Sequence, residues 1–146
     1  MNSKLYNYSI YLLGRRDYFV KELRRKFKEK GYEEDDVNVV LDYLIENGYQ
    51  SDEKFTRSFI NQKINSKIGF SKIKSTLVFE KGVDRDVVED AMSEFESQDL
   101  ENIRKIVGIK YRNKDLKDFK EKNKAFRFLV SKGFSFEDIN QVFREI

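Results

Sequence analysis

The dipeptide Lys-Gly occurs three times in this chain of 146 residues, and its glycines, Gly31, Gly82 and Gly133, are 51 residues apart. Apolar residues follow each glycine at the same four positions, 6, 9, 10 and 13 residues further on. In the three copies these positions hold Val37, Val40, Leu41 and Leu44, then Val88, Ala91, Met92 and Phe95, then Ile139, Val142, Phe143 and Ile146. This spacing is typical of the apolar face of a helix. Three copies in register predict tandem helical repeats.

Each glycine of the dipeptide stands where one helix should end and the next should begin. The preceding Lys suits the negative end of a helix dipole, and Gly adopts the left-handed conformation of a helix end without steric cost. A capping residue follows two positions later in each copy: Glu33, Asp84 and Ser135. We therefore interpret all three glycines as structural turn residues.

A further helix is predicted before each of these helix pairs, over Tyr8 to Arg15, Asp52 to about Asn65, and Leu100 to Tyr111. Asp17 and Ser71 are the predicted caps for the second helices of the first two units. No segment has a convincing strand pattern. The predicted fold is all-α, with nine helices in three tandem three-helix repeats that form an elongated, curved array. The repeats cover residues 1–49, 50–97 and 98–146.

The composition excludes several kinds of chemistry, because the chain has no His, Cys, Trp or Pro. There can be no Ser-His triad, thiolate nucleophile, disulfide, or zinc site with thiolate or imidazole ligands. Walker-type phosphate loops are absent as well. The run Glu33 to Asp36 contains enough carboxylates for Mg²⁺, but successive helical positions fan around the axis, which favours a helix start. We therefore expect no enzyme, no cofactor and no metal.

High charge can indicate disorder, but 13 Phe and 8 Tyr at regular positions argue against it. The predicted core includes Phe27, Phe55, Phe59, Phe95, Phe126 and Phe143. No apolar run is long enough to span a membrane, and no secretory signal is visible. We expect a monomeric, cytoplasmic protein without a membrane partner.

Charge alternates in register with the repeat, although the whole chain is only +3. Basic blocks carry +6, +6 and +8, over residues 1–31, 54–82 and 102–133. Acidic blocks carry −8, −7 and −2, over residues 32–53, 83–101 and 134–146. Two interpretations stay open: neighbouring helices neutralise each other, or basic helices form a positive stripe along one side of the array.

In the first unit, four cations follow an i, i+3, i+4, i+7 pattern away from the apolar face of their helix. Such a stripe suits phosphates or an acidic groove on a protein. The full set of candidate partner- or DNA-binding residues is Arg15, Arg16, Lys21, Arg24, Arg25, Lys28, Lys63, Lys67, Lys72, Lys74, Lys120, Lys124 and Arg127.

Several of these segments together resemble the RecX regulatory proteins. They include Leu12-Leu13-Gly14-Arg15-Arg16-Asp17, Glu22-Leu23, Lys30-Gly31-Tyr32, Val40-Leu41-x-x-Leu44, Gly48-Tyr49, Asp52-Glu53-Lys54-Phe55, Lys81-Gly82-Val83, and Phe128 through Ser135. The resemblance runs from about Tyr8 to Ile146. The sequence departs from the family at Gln50-Ser51, at Phe70, and in its use of Lys at many positions that are usually Arg.

The resemblance implies three-helix repeats, each distantly like a helix-turn-helix, and a function as a modulator of the RecA recombinase. Family members are thought to bind in the groove of the RecA–DNA filament, to alter its ATPase and strand exchange, and to promote its disassembly. The expected partners are therefore the RecA filament and single- or double-stranded DNA. The alternatives are a stand-alone, sequence-nonspecific DNA-binding module that uses its basic helices, and an unrelated repeat scaffold.

Overall fold

The computed structural model describes all 146 residues, and every regular element in it is helical. Residues Phe70–Ser75 continue directly into a five-residue π-helical segment, Thr76–Glu80. The nine α-helices are α1 (Ser3–Leu13), α2 (Val20–Glu29), α3 (Glu34–Glu46), α4 (Asp52–Asn65), α5 (Phe70–Ser75), α6 (Arg85–Ser93), α7 (Asp99–Lys110), α8 (Phe119–Ser131) and α9 (Phe136–Arg144). The prediction of an all-α fold with nine helices is confirmed. No helix reaches the length and apolarity required to cross a membrane.

The predicted helix bounds are most accurate for α4, which spans Asp52–Asn65 as expected. The first helix was expected over residues 8–15, but α1 begins at Ser3 and ends at Leu13. The side chain of Asn2 accepts a hydrogen bond from the Leu5 backbone N–H at 3.0 Å, and this cap starts the helix one turn earlier.

The predicted caps Asp17 and Ser71 are wrong. Helix α2 begins after Phe19, whose N–H donates to Glu22 Oε1 at 3.1 Å, and the next N–H, of Val20, donates to Asp52 Oδ1 at 3.0 Å. The start of α2 is therefore capped both by Glu22 in its first turn and by Asp52, a residue 32 positions away along the chain.

The start of α5 uses the same arrangement. The N–H of Phe70 lies 3.3 Å from both carboxylate oxygens of Asp99, which is 29 positions away. Asp52 and Asp99 are each the first residue of a helix, α4 and α7. Each of these aspartates thus caps the second helix of the preceding predicted repeat. By contrast, the local cap Ser135 accepts the N–H of Asp138 at 3.1 Å, as its spacing predicted.

Contacts group the chain into two compact units. Unit 1 contains Met1–Ser58 and Leu77–Ala91, and unit 2 contains Phe59–Thr76 and Met92–Ile146. The helices of the predicted middle repeat contribute residues to both. The division into three repeats at residues 49 and 97 stays a prediction.

The core of unit 1 lies among α1, α2 and α3. All of its residues except Tyr18, which precedes α2, lie at helical spacing on these three helices, and most of them are completely buried. They are Leu5, Leu12, Tyr18, Leu23, Phe27, Val37, Val40, Leu41 and Leu44. The stripe predicted after Gly31 is therefore the face that α3 turns toward this core.

The core of unit 2 lies among α7, α8 and α9. It contains Ile103, Ile106, Leu129, Phe134, Ile139 and Val142. Of the six phenylalanines predicted as core, only Phe27 is fully buried, whereas the other five are half-buried. Phe126 and Phe143 pack against the apolar cluster of unit 2, and the ring of Phe126 lies 5.2 Å from that of Phe136 and 6.4 Å from that of Phe143.

The glycines of the Lys-Gly dipeptides all have positive φ: 87° at Gly31, 69° at Gly82 and 95° at Gly133. Two of them also lie under a lysine. A Cβ atom at Gly82 would overlap the side chain of Lys21, and one at Gly133 would overlap Lys72. The two lysines are 51 residues apart, as are the two glycines. In each unit, a lysine of one helix thus packs over the glycine of a Lys-Gly turn, and we refer to this arrangement as the helix-on-turn contact.

Candidate functional site

A basic groove of about 340 Å³ in unit 1 collects four of the cations predicted from the sequence. Helix α2 contributes Lys21, Arg24, Arg25 and Lys28, along with the carboxylates Glu22 and Glu29. Glu80 and Lys81, at the end of the π-helical segment and the start of the Gly82 turn, complete the lining. We refer to these eight residues as the basic groove.

Helix α2 presents these cations because its other side is fixed in the core. Leu23 and Phe27 are completely buried. The cations occupy positions rotated away from that apolar face, as the 3.6-residue period requires. Lys21, Arg25 and Lys28 are exposed, and Arg24 is half-buried.

Buried Glu22 holds the groove together. Its carboxylate accepts the Phe19 N–H at 3.1 Å, Arg16 Nη2 at 3.3 Å and Lys81 Nζ at 3.1 Å. Burial opposes ionisation of Glu22, but these three hydrogen bonds outweigh it and hold its pKa below the ordinary value. The carboxylate is therefore charged and neutralised from within unit 1, so it subtracts little from the positive charge of the groove.

The remaining cations of the groove have weak internal partners or none. Arg24 Nη1 donates to Asn38 Oδ1 at 2.8 Å, and Arg25 Nε lies 3.9 Å from Glu29 Oε1. The ammonium groups of Lys21 and Lys28 form no ion pair with a carboxylate. An exposed pair such as Arg25–Glu29 contributes little to stability and opens readily. The groove can therefore receive an anion, such as a phosphate or carboxylate, at small cost.

The other predicted cations lie outside the groove. Arg16 stacks at 3.6 Å from the ring centroid of Tyr18 and pairs with Glu22, and Arg15 Nη1 donates to the Tyr11 hydroxyl at 2.9 Å. Lys63 lies over Phe59, and Lys72 Nζ donates to the Ser131 carbonyl at 3.0 Å. Lys67 lies in a second pocket, Lys74 is half-buried on α5, and α8 carries the exposed residues Lys120, Lys124 and Arg127.

The candidates predicted from the sequence omit four of the eight groove residues: Glu22, Glu29, Glu80 and Lys81. In the sequence, Lys81 is marked only as the cation before a turn glycine, and Glu22 only as part of a family motif. The 51-residue repeat contains a usable signal, because it places the second helix of one predicted repeat beside the Lys-Gly turn of the next; the Lys21–Gly82 contact lies within unit 1 and the Lys72–Gly133 contact within unit 2. The acidic run Glu33 to Asp36 is the N-cap and first turn of α3, in agreement with the helix-start interpretation.

These observations define a class: an all-helical protein of repeated helix pairs whose marked surface feature is a cationic groove. The family models for the first and third three-helix domains of RecX match residues 6–44 and 96–143. A "Regulatory protein RecX" of Haemophilus influenzae strain PittEE is 30% identical over 135 residues, with 92% of this chain and 89% of that protein covered. The chain belongs to the RecX family.

Other relatives differ in length from this chain. The protein of the same name from Vibrio vulnificus is 38% identical, with 90% of this chain and 85% of that protein covered. One from Clostridium perfringens strain SM101 is 37% identical over 86% of this chain, which spans only 60% of that relative. The crystal structure of RecX from Lactobacillus salivarius superposes with a TM-score of 0.80 at 24% identity, covering 98% of this chain and 94% of that one. This structural likeness concerns the fold.

Proposed function

We propose that this protein is a non-enzymatic regulator that binds the RecA–DNA filament and modulates, mostly by inhibition, RecA ATPase and strand exchange. Membership of a family whose relatives carry the name "Regulatory protein RecX" supports a regulatory function. RecA as the target comes from the sequence resemblance. The proposal places the protein in the cytoplasm, acting as a monomer in recombination and DNA repair.

The observation that carries the proposal is the basic groove. It gathers five cations, Lys21, Arg24, Arg25, Lys28 and Lys81, with three carboxylates, of which buried Glu22 is neutralised by Arg16 and Lys81. A RecA–DNA filament carries DNA phosphates along its length, and a cationic groove suits phosphates. A cationic surface gains on-rate and orientation on such a target, and contacts to several protomers add as avidity.

The deciding experiment measures DNA-dependent ATP hydrolysis by RecA while this protein is added. We expect inhibition that approaches completion at stoichiometric protein. Charge reversal at Arg24, Arg25 and Lys28 should weaken the inhibition at least tenfold with little change in the free energy of unfolding, because none of the three is a core residue.

A matched triple reversal at Arg112, Lys114 and Lys117, which are exposed and outside the groove, controls for net charge. It should leave inhibition nearly unchanged. The proposal fails if wild-type protein in excess leaves RecA ATPase and strand exchange unaltered. The assignment to the groove fails if both triple variants lose the same amount of activity.

A second candidate function, stand-alone DNA binding, draws on the same five cations. A protein that contacts about five phosphates should give a slope of log affinity against log salt near −4 on duplex DNA. Tight binding to free DNA with that slope, together with unchanged RecA activity, would favour this alternative. Inhibition of RecA at concentrations that leave free DNA unbound would favour the filament.

A further inference from the structure

Unit 2 contains a second pocket, of about 250 Å³, that the proposed function does not use. Its floor is apolar and its rim is cationic. The floor consists of Ile106, Ile109 and Phe128, and the rim of Lys67, Lys110 and Lys132. No acidic residue lines it, and none of the three lysines pairs with a carboxylate. We refer to these six residues as the lysine-rimmed pocket.

The floor exposes apolar surface without an internal partner. Ile109 is 69% exposed although it belongs to α7, whereas Ile106, three residues earlier, is 9% exposed and part of the unit 2 core. The pocket therefore deepens from a solvent-exposed aliphatic side chain toward the core. Its volume suits one inserted apolar side chain from a partner.

The rim is held in place by ring contacts. Lys110 Nζ lies 3.3 Å from the centroid of the Phe128 ring and Lys132 Nζ lies 5.5 Å from it, while the ring of Tyr111 meets Phe128 edge-on at 6.4 Å. Cation–π attraction thus keeps two ammonium groups beside the apolar floor. The three rim lysines therefore concentrate positive charge at one pocket and do not form an extended line along the surface.

Lys67 supplies an independent observation. It is the only non-glycine residue of the chain with positive φ, 61°, and it ends α4 where glycine ends other helices. Its N–H donates to the Ile64 carbonyl at 2.9 Å, and the following N–H donates to that of Lys63 at 3.0 Å. A side chain in this conformation costs about 1–2 kcal/mol. Such a cost at the rim of a pocket is characteristic of a position kept for function.

We propose that the lysine-rimmed pocket binds an acidic peptide segment of a partner protein, with one apolar side chain of the segment inserted between Ile106, Ile109 and Phe128. Three uncompensated lysines around an apolar floor are complementary to carboxylates that flank an apolar residue. A nucleic acid fits less well, because Lys110 covers one face of Phe128, the only aromatic ring of the floor, and the other two floor residues are aliphatic. The inference does not depend on RecA being the partner.

The test uses fluorescein-labelled eight-residue peptides in which a single Leu or Phe is flanked by Asp and Glu, with binding followed by fluorescence anisotropy. Comparison probes are the same peptides with Ser in place of the apolar residue and a thymidine oligonucleotide of equal charge. We expect dissociation constants of about 10–100 μM for the Leu and Phe peptides, and at least tenfold weaker binding of the Ser peptides.

Four variants test the site. Lys110→Glu and Ile109→Ser should each weaken binding of the Leu peptide about tenfold. Lys67→Gly should weaken it about threefold while making the protein more resistant to urea, because glycine relieves the left-handed strain. Lys117→Glu, an exposed charge reversal elsewhere in unit 2, is the matched control and should leave binding within twofold.

Three results would overturn the proposal. The first is that no peptide of the panel binds at about 1 mM. The second is that Ser and Leu peptides bind equally, or that Lys117→Glu weakens binding as much as Lys110→Glu. The third is that the oligonucleotide binds more tightly than any peptide and loses affinity in Ile109→Ser, which would assign the pocket to single-stranded nucleic acid. Because RecA is absent from all assays, these results are separate from those that test the proposed function.

Discussion

Both units contain the helix-on-turn contact, but different groups form it in each unit. In unit 1 the stem of Lys21 lies over Gly82, and the neighbouring Lys81 reaches the buried carboxylate of Glu22 at 3.1 Å. In unit 2 the contact is closer, because a Cβ atom at Gly133 would meet the Cβ and backbone of Lys72. The first contact depends on a flexible side chain and an ion pair, whereas the second depends on backbone.

The N-cap residue of the helix that carries the lysine, α2 in unit 1 and α5 in unit 2, explains why the two contacts differ in closeness. In unit 1 the N-cap of α2 is Phe19, which is buried and lies edge-on to Phe55 at 6.4 Å between centroids. In unit 2 the N-cap of α5 is Gly69, whose N–H donates to the Lys132 carbonyl at 2.8 Å. In unit 1 the Phe19 ring occupies the space beside the helix start. In unit 2 Gly69 has no side chain there, so the backbone at the start of α5 contacts the backbone of the Gly133 turn directly. Unit 2 should therefore tolerate added volume less well.

The largest effect is expected for Gly133→Ala. The left-handed conformation costs about 1–2 kcal/mol, and overlap with the Lys72 backbone adds about 1–3 kcal/mol. Gly82→Ala should cost less, about 2 kcal/mol, because the Lys21 side chain can move aside. The measurement is the free energy of unfolding from urea denaturation. Equal losses at Gly82 and Gly133 would contradict the distinction between the two contacts.

Two further alanine variants separate the contributions at these turns. Gly31 has φ of 87° and open space around it, so Gly31→Ala reports the conformational cost alone. Gly69→Ala reports crowding without positive φ, since its Cβ would overlap the backbone of Gly133. If the account is correct, the losses at these two positions together approximate the loss at Gly133.

Asp52→Ala should have the next largest effect, about 1–3 kcal/mol. The Asp52 carboxylate accepts the Val20 N–H and also the side-chain amide of Gln50, which is only 2% exposed. The matched control is Asp17→Ala, since Asp17 is the cap that local sequence predicts but the structure does not use. Asp17→Ala should change stability by less than about 0.5 kcal/mol. A larger loss of stability in Asp17→Ala than in Asp52→Ala would show that Asp17, and not Asp52, caps α2.

The corresponding aspartate of unit 2 should give a pH effect. Burial raises the pKa of Asp99 to about 6, although the hydrogen bond from Phe70 opposes the rise, and nearby Asp138 adds to it. Below pH 6 the folded protein holds a proton that the unfolded chain releases near pH 3.8. Stability should therefore fall as pH rises from about 4 to 6 and stay lowered above that range.

Asp99→Asn tests this, because it keeps an acceptor for the Phe70 N–H and removes the charge. The variant should lack the loss of about 1–2 kcal/mol between pH 4 and 6.5, and should exceed wild type in stability at neutral pH. The measurement is urea denaturation across that range, with Asp52→Asn as the matched variant in unit 1. A wild-type pH profile in Asp99→Asn would show that another group carries the effect.

Local patterns predicted much of this fold because the apolar stripe repeats every 51 residues. The helix pairs around Gly31 and Gly133, the span of α4 and the Ser135 cap all follow from residues within a few positions of each other. What local patterns did not predict are features that join distant residues. The Asp52 and Asp99 caps act across 32 and 29 positions, and Lys81 meets Glu22 across 59.

The site was predicted in part for the same reason. Periodicity on one helix selected Lys21, Arg24, Arg25 and Lys28, and the structure places them together in the basic groove. Periodicity could not separate them from Arg16, which has the same charge but is engaged by Tyr18 and Glu22. Whether a cation is free or internally paired depends on neighbours that only the folded chain brings close.

The smallest stability effect is expected at the lysines of the two contacts. Lys81→Ala leaves buried Glu22 with Arg16 and the Phe19 N–H, so it should cost about 1 kcal/mol, whereas Lys72→Ala keeps the Cβ over Gly133 and should cost less than about 0.5 kcal/mol. Hydrogen bonds hold the pKa of Glu22 below its ordinary value of 4.5 against the effect of burial. The stability that Glu22 contributes is therefore present above pH 4.5 and lost as pH falls further, so the cost of Lys81→Ala should shrink in acid. Urea denaturation of Lys81→Ala and Lys72→Ala at pH 7 and pH 3.5 measures the two stability costs and their change with pH. If the stability cost of Lys81→Ala stays constant in acid, Lys81 stabilises unit 1 by packing and not through its charge on Glu22. The basic groove would then contain a carboxylate, that of Glu22, which Lys81 does not neutralise.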